Sequence, residues 1–207
     1  MKPRLRGVSH QYAFYVALAA GAALVVLARG GEARVAALVY GLSLCAMFGA
    51  SALYHRIDWS PRPRAWLRRL DHSMIFVLVA GTYTPFALLV VAPALGWTVL
   101  VVVWAGALAG VLVSLMWIDA PRWLTAILYV ALGWASIVMM PQLWDRAGVL
   151  AVAMLAAGGV LYTAGAVVYA RRRPDPVPRV FGYHEVFHAL VIAAAAVHFA
   201  AVAAFAV

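Results

Sequence analysis

From Ser73 to Ile118 the chain runs forty-six residues without an Asp, Glu, Lys or Arg. A membrane-crossing helix needs about 20 mostly apolar residues. This window is therefore two crossings long, and Pro93 to Gly96 supplies the turn between them. Five further charge-free windows have the length of one span: Gly7–Ala28, Val35–Tyr54, Trp123–Trp144, Ala147–Ala170 and Val186–Val207. None alternates with period two, as a barrel strand facing lipid must. Segments apolar on every side satisfy their own backbone in hydrocarbon as helices. The expectation is an all-α integral membrane protein, a seven-transmembrane helix bundle forming a single domain over residues 1–207. Its spans are expected at about 12–28, 34–55, 71–91, 95–118, 122–141, 147–170 and 184–206.

Composition agrees. Hydrophobic residues make up 67% of the chain and charged ones 11%, against about 25% charged in soluble domains. A net charge of +9 in a soluble protein would suggest nucleic acid. Here the basic residues lie between apolar segments, so topology explains them and no nucleic-acid partner is expected. Cys45 is the lone cysteine, and no disulfide can form within the chain. The basic start followed by residues 12–28 is longer than a signal-peptide core and is followed by more spans, so it reads as a retained first span.

Orientation follows from Lys and Arg. With seven spans, the N-terminal segment and the second, fourth and sixth connections share one side. They carry thirteen basic residues: Lys2, Arg4, Arg6, Arg56, Arg62, Arg64, Arg68, Arg69, Arg122, Arg171, Arg172, Arg173 and Arg179. The other side carries three, Arg29, Arg34 and Arg146. The N-terminus is expected in the cytoplasm and the C-terminus outside. The longest connection, residues 56–70, is rich in Arg and Trp; it is expected to serve as a topology anchor only, with an interfacial helix on anionic lipid as the alternative. Pro85 should kink the third span. Gly106, Gly110, Gly158, Gly159 and Gly165 suit close helix packing.

Ionisable residues within spans are costly and are functional candidates by default. Here they are His55, Asp71, His72, His184, Glu185, His188 and His198. His10 is expected just before the first span, at the interface. The second span ends at His55, the third opens with Asp71, and the seventh opens with His184. His188 lies one turn deeper, about 6 Å. Three spans thus bring these groups to one level on the cytoplasmic side. His184 and His188 are i and i+4 and face the same way, the spacing that lets two imidazoles share a metal. His55 makes a third nitrogen ligand, and three protein ligands with an open fourth position describe a catalytic zinc site. Another imidazole-loving divalent metal would fit the same pattern. Ser51, four residues before His55, adds a hydroxyl on the same face. Asp71 could orient a ligand histidine or a bound water, or merely cap the third helix. Ser51 could serve packing alone. His72 and Glu185 are turned away, Glu185 toward water. His198, about 21 Å beyond His184 along the helix, reads as a packing or cavity histidine.

Ser51-Ala-Leu-Tyr-His55, Leu70-Asp71-His72-Ser73 and His184-Glu185-Val186-Phe187-His188, in that order, resemble the hemolysin III family. This is the bacterial branch of the progestin and adipoQ receptor superfamily, which includes the adiponectin receptors. The resemblance covers nearly the whole chain. It implies a multi-pass protein of the bacterial plasma (inner) membrane, with Zn2+ near the cytoplasmic leaflet. By motif match the zinc ligands would be His55, His184 and His188. Asp71 would contact a zinc-bound water, and Ser51 would line the site. The adiponectin receptors are linked to ceramidase activity, and alkaline ceramidases share the layout. The long N-terminal domain of the animal receptors has no counterpart here, so no protein hormone is expected as partner. His72 stands where those receptors have an aromatic, and no role is carried to it.

Three functions follow for testing. The first is a zinc-dependent hydrolase of lipid amide or ester bonds, ceramidase-like and acting in membrane homeostasis, with Asp71 as general base and Ser51 aiding the oxyanion. Its partner would be a membrane lipid. The second is a non-catalytic, zinc-stabilised membrane sensor or regulator, with Asp71 as a fourth ligand. The third, ranked last, is a transporter or cytolytic pore.

Overall fold

The structure, a computed structural model, describes residues 3–207; Lys2 of the charge count lies outside them. The elements are α1 (Val8–Leu27), α2 (Gly31–Arg56), α3 (Pro61–Leu89), α4 (Pro93–Met116), α5 (Arg122–Trp134), a 3-10 segment (Ala135–Met139), α6 (Met140–Arg171) and α7 (Tyr183–Phe205). There is no β-strand among the described residues, only an isolated bridge between Val177 and Phe181. Six helical stretches are long and apolar enough to cross a membrane. One of them, Arg122–Arg171, is 50 residues long and contains both α5 and α6.

That long stretch breaks twice, each time for a local reason. Pro141 has no N–H to give to the Ile137 carbonyl; Met140 N–H bonds it instead, and the turn tightens to 3-10. Gly148 then leaves the helix at φ 86°, ψ 171°, a conformation essentially reserved for glycine. The expected gap at residues 142–146 is therefore helical, and the break falls two residues after it.

The third span differs most from expectation. Helix α3 begins at Pro61, ten residues before position 71, because Pro61 sits in the first turn, where its missing N–H costs nothing. From Pro61 on, the stretch expected to be a connection is helical and continuous with the membrane-crossing part. Asp71 therefore lies within α3 and caps nothing. Pro85 also lies inside α3, which continues past it to Leu89.

Helices α2 and α3 are the most enclosed, while α4 turns Val101, Val102, Leu108 and Leu112 outward. These exposed faces suit lipid. Small residues let the helices close up where expected: a Cβ on Gly110 would meet the Phe76 ring at 2.3 Å.

The basic residues gather at one end of the bundle. Arg4 N–H donates to the Arg179 carbonyl, Arg56 to Gln11, Arg68 to Asp119 and Arg122 to Tyr183. Arg34 and Arg146 bond carbonyls at the other end, Ala28 and Val90.

A candidate metal centre

His55 stands in the last turn of α2. Residues 57–60 make a tight connection to α3, closed by Trp59 donating its indole N–H to the Leu53 carbonyl at 2.9 Å. His184 stands in the first turn of α7. Two carboxylates fix that turn: Glu185 accepts from Gly182 N–H and Asp175 from Tyr183 N–H, both at 2.8 Å. They satisfy donors that a helix start leaves free and place negative charge at its positive end. His188 follows one turn deeper and is almost wholly buried.

The structure brings the three histidines together. One ligand atom from each lies within 4.8 Å of the others. His55 Nε2 and His184 Nε2 are 3.1 Å apart. Two nitrogens on one tetrahedral zinc, each about 2.0–2.1 Å from it, stand roughly 3.3–3.4 Å apart. The donor set therefore fits a small ion that binds imidazole. The Asp71 carboxylate reaches 3.6 Å from His55 Nε2 but falls outside the mutually close set. Ser51 is buried one turn from His55 and lines the interior cavity with His188.

Two spaces meet at this cluster. On the inner side is a cavity of about 140 Å³ bounded mainly by α3, α5, α6 and α7, with His10 of α1 and Met47 and Ser51 of α2, and lined mostly by apolar side chains. One water needs only about 10–15 Å³ by the same measure. The cavity runs from Asp71, His184 and His188 to His198, ten residues and about 15 Å along α7 from His188. On the outer side is a polar mouth lined by Arg6, Arg64, Arg68 and Arg122, sharing Asp71 and His184 with the cavity.

The remaining polar residues sort as follows. His198 stays out of the cluster and donates Nε2–H to the Leu155 carbonyl at 3.1 Å. It does so beside Gly158, where a Cβ would come within 2.1 Å of that nitrogen. His72 also stays out; its carbonyl accepts from Tyr129. Glu185 does not reach water: it is buried and ion-paired with Arg6. His10 does not precede the helix: it lies inside α1, buried and stacked on His188. Its signal in the sequence was its place in the first charge-free window, at the end that also carries His184. Depth was legible from that, but the ring it would touch was not.

A family model described as "Haemolysin-III related" matches residues 1–199. The "Hemolysin-3" protein of Bacillus cereus is 35% identical over 138 residues, covering 67% of this chain and 63% of that protein. The alignment thus spans a little under two thirds of this relative. A "Hemolysin-3 homolog" of Bacillus subtilis is 31% identical over 161 residues, covering 78% and 72%. More distantly, the human "Monocyte to macrophage differentiation factor" is 23% identical over 201 residues, covering 94% and 80%.

Proposed function

This chain belongs to the haemolysin-III-related family, within the progestin and adipoQ receptor superfamily, and on that premise we propose that it is a zinc-dependent hydrolase of lipid amide or ester bonds. The observation that carries the proposal is the place of the histidine cluster. It sits where an arginine-lined mouth meets an apolar interior cavity. An amphiphile has that same division, with its cleavable bond at the junction. The tail occupies the cavity beside Tyr83 and Met139, and the head stays among Arg64 and Arg122.

His55, His184 and His188 would hold the ion, which when bound would supply Lewis-acid activation of water and carbonyl. Asp71 accepts the proton given up as water adds to the carbonyl. The Ser51 hydroxyl donates to the oxygen on which negative charge develops. The apolar wall excludes bulk water and so strengthens both contacts. Asp71 stands beside the histidine set and not within it, which supports a role for its carboxylate toward water or substrate over that of a fourth ligand in a zinc clip tying α2 to α7.

We read the breaks within Arg122–Arg171 as the turn between two crossings. That makes one domain of seven spans and puts the termini on opposite sides. The positive end, with the histidine cluster, faces the cytoplasm. The bacterial relatives support a place in the plasma (inner) membrane. Cysteine introduced at Arg64 should then label only from the cytoplasmic side of inverted vesicles.

The activity test uses purified protein in nanodiscs, loaded with zinc, and a panel of ceramides, phospholipids and other N- or O-acyl lipids. Fatty acid release should be lost in His188→Ala and Asp71→Asn. A protein holding one zinc per chain that releases nothing from any lipid would leave the sensor reading standing instead.

A further inference from the structure

The ring of His10 lies face to face with that of His188, centroids 3.7 Å apart and planes 9° from parallel. His10 is 2% exposed, and it lines the apolar cavity beside the cluster. Neither of its ring nitrogens has a hydrogen-bond partner among the described residues. Buried polar groups are normally paired, and a buried donor left without an acceptor is costly.

The stack excludes the simplest role. With ring centroids 3.7 Å apart and planes nearly parallel, an ion held in the plane of the His188 ring would stand one ring-stacking distance, roughly 3.5 Å, from the plane of His10. A zinc–nitrogen bond is about 2.0–2.1 Å long. His10 is therefore not a fourth ligand where it stands, and it is held there. Arg4 and Leu5 donate backbone N–H groups to the carbonyls of Arg179 and Val180, both at 3.1 Å. Arg6 pairs with Glu185, between the two ligand histidines of α7. Gln11 accepts from Arg56, next to His55. The segment from Arg4 through the first turn of α1 is thus a wall of the site.

We propose that His10 is a ligand-binding residue of the metal centre: its ring N–H donates to an anionic or carbonyl oxygen of the head group seated at His55, His184 and His188. This rests on the metal reading above. It adds a residue of α1 that recognises the ligand, and it gives the unpaired nitrogen an acceptor only when a ligand is present.

The test separates ion from ligand. Co2+ replaces zinc, and acetohydroxamate serves as the oxygen-bearing probe. The visible Co2+ spectrum reports whether the site has formed in each protein. Wild type is compared with His10→Gln, which keeps a donor, and with His10→Phe and His10→Leu, which do not. All should bind Co2+ alike. Acetohydroxamate should weaken roughly tenfold or more in the Phe and Leu variants, the size of a hydrogen bond to a charged group, and stay near wild type in Gln. Equal probe affinity in all four proteins would overturn the proposal while leaving the metal reading intact. So would loss of Co2+ itself from both apolar variants, because His10 would then serve the ion and not the head group. A wild-type protein that takes up no Co2+ would overturn the metal reading and this one with it.

Discussion

Gly7→Ala tests whether the start of α1 shapes the candidate metal site. Gly7 has φ +77°, and a Cβ there would come within 2.6 Å of His55 Cβ. The left-handed backbone alone costs a non-glycine residue about 1–2 kcal/mol. The clash adds about 1–3 kcal/mol, the usual range for overpacking. Its partner is a Cβ, which no rotamer change can move, so relief requires shifting the backbone of His55 or of α1. Strain on a ligand is paid again when the ion binds. If the clash component falls wholly on His55, zinc affinity drops about 5- to 150-fold. Gly30→Ala is the control. Gly30 also has positive φ, +94°, but no atom of the described residues beyond its chain neighbours lies within 4 Å of the point a Cβ would occupy there. It should lose about 1–3 kcal/mol of stability and keep its zinc affinity within about twofold, as expected of distant, independent sites. Chelator competition in detergent measures the affinity, and thermal unfolding measures the stability. Equal zinc affinity in Gly7→Ala and Gly30→Ala would refute the idea that α1 presses on the site through His55.

Arg6→Ala leaves the Glu185 carboxylate buried without its cation, so it should destabilise by about 3–5 kcal/mol; adding Glu185→Gln should recover most of the loss in a double-mutant unfolding cycle. Asp71→Asn removes a negative charge 3.6 Å from His55 Nε2, the nitrogen that faces the other histidines, and should lower zinc affinity by about tenfold or more through the lost attraction for the cation, as read by competition titration. Gly158→Ala pushes a methyl into the His198 ring and should cost about 1–3 kcal/mol without changing metal affinity; His198→Ala in the same chain should restore stability.

Much of this fold was legible because the bilayer is so restrictive a solvent. Charge-free length marks the spans, and each apolar run can be only a helix. The ligand candidates were legible by the same logic, since a titratable group in such a run has few bland explanations. His55, Asp71, His184 and His188 were placed at one depth by counting spans. Boundaries were less legible where a helix leaves hydrocarbon. Residues 61–70 carry four arginines and looked like a connection, yet they continue α3, because helical hydrogen bonds do not stop at the edge of the apolar region. Glu185 next to His184 looked free to reach water, and its partner Arg6 is 179 positions away.

The order and length of the apolar runs, the sign of the loops and the i, i+4 pair of histidines thus follow from the chain alone, because each is a local property judged against one environment. What the sequence could not supply is which faces meet. Helices packed side by side leave rotation and partner open until every side chain is fitted at once. Only the folded molecule lays His10 on His188, presses Gly7 to His55 and opens a cavity behind the cluster, because those contacts join residues whose spacing along the chain carries no period.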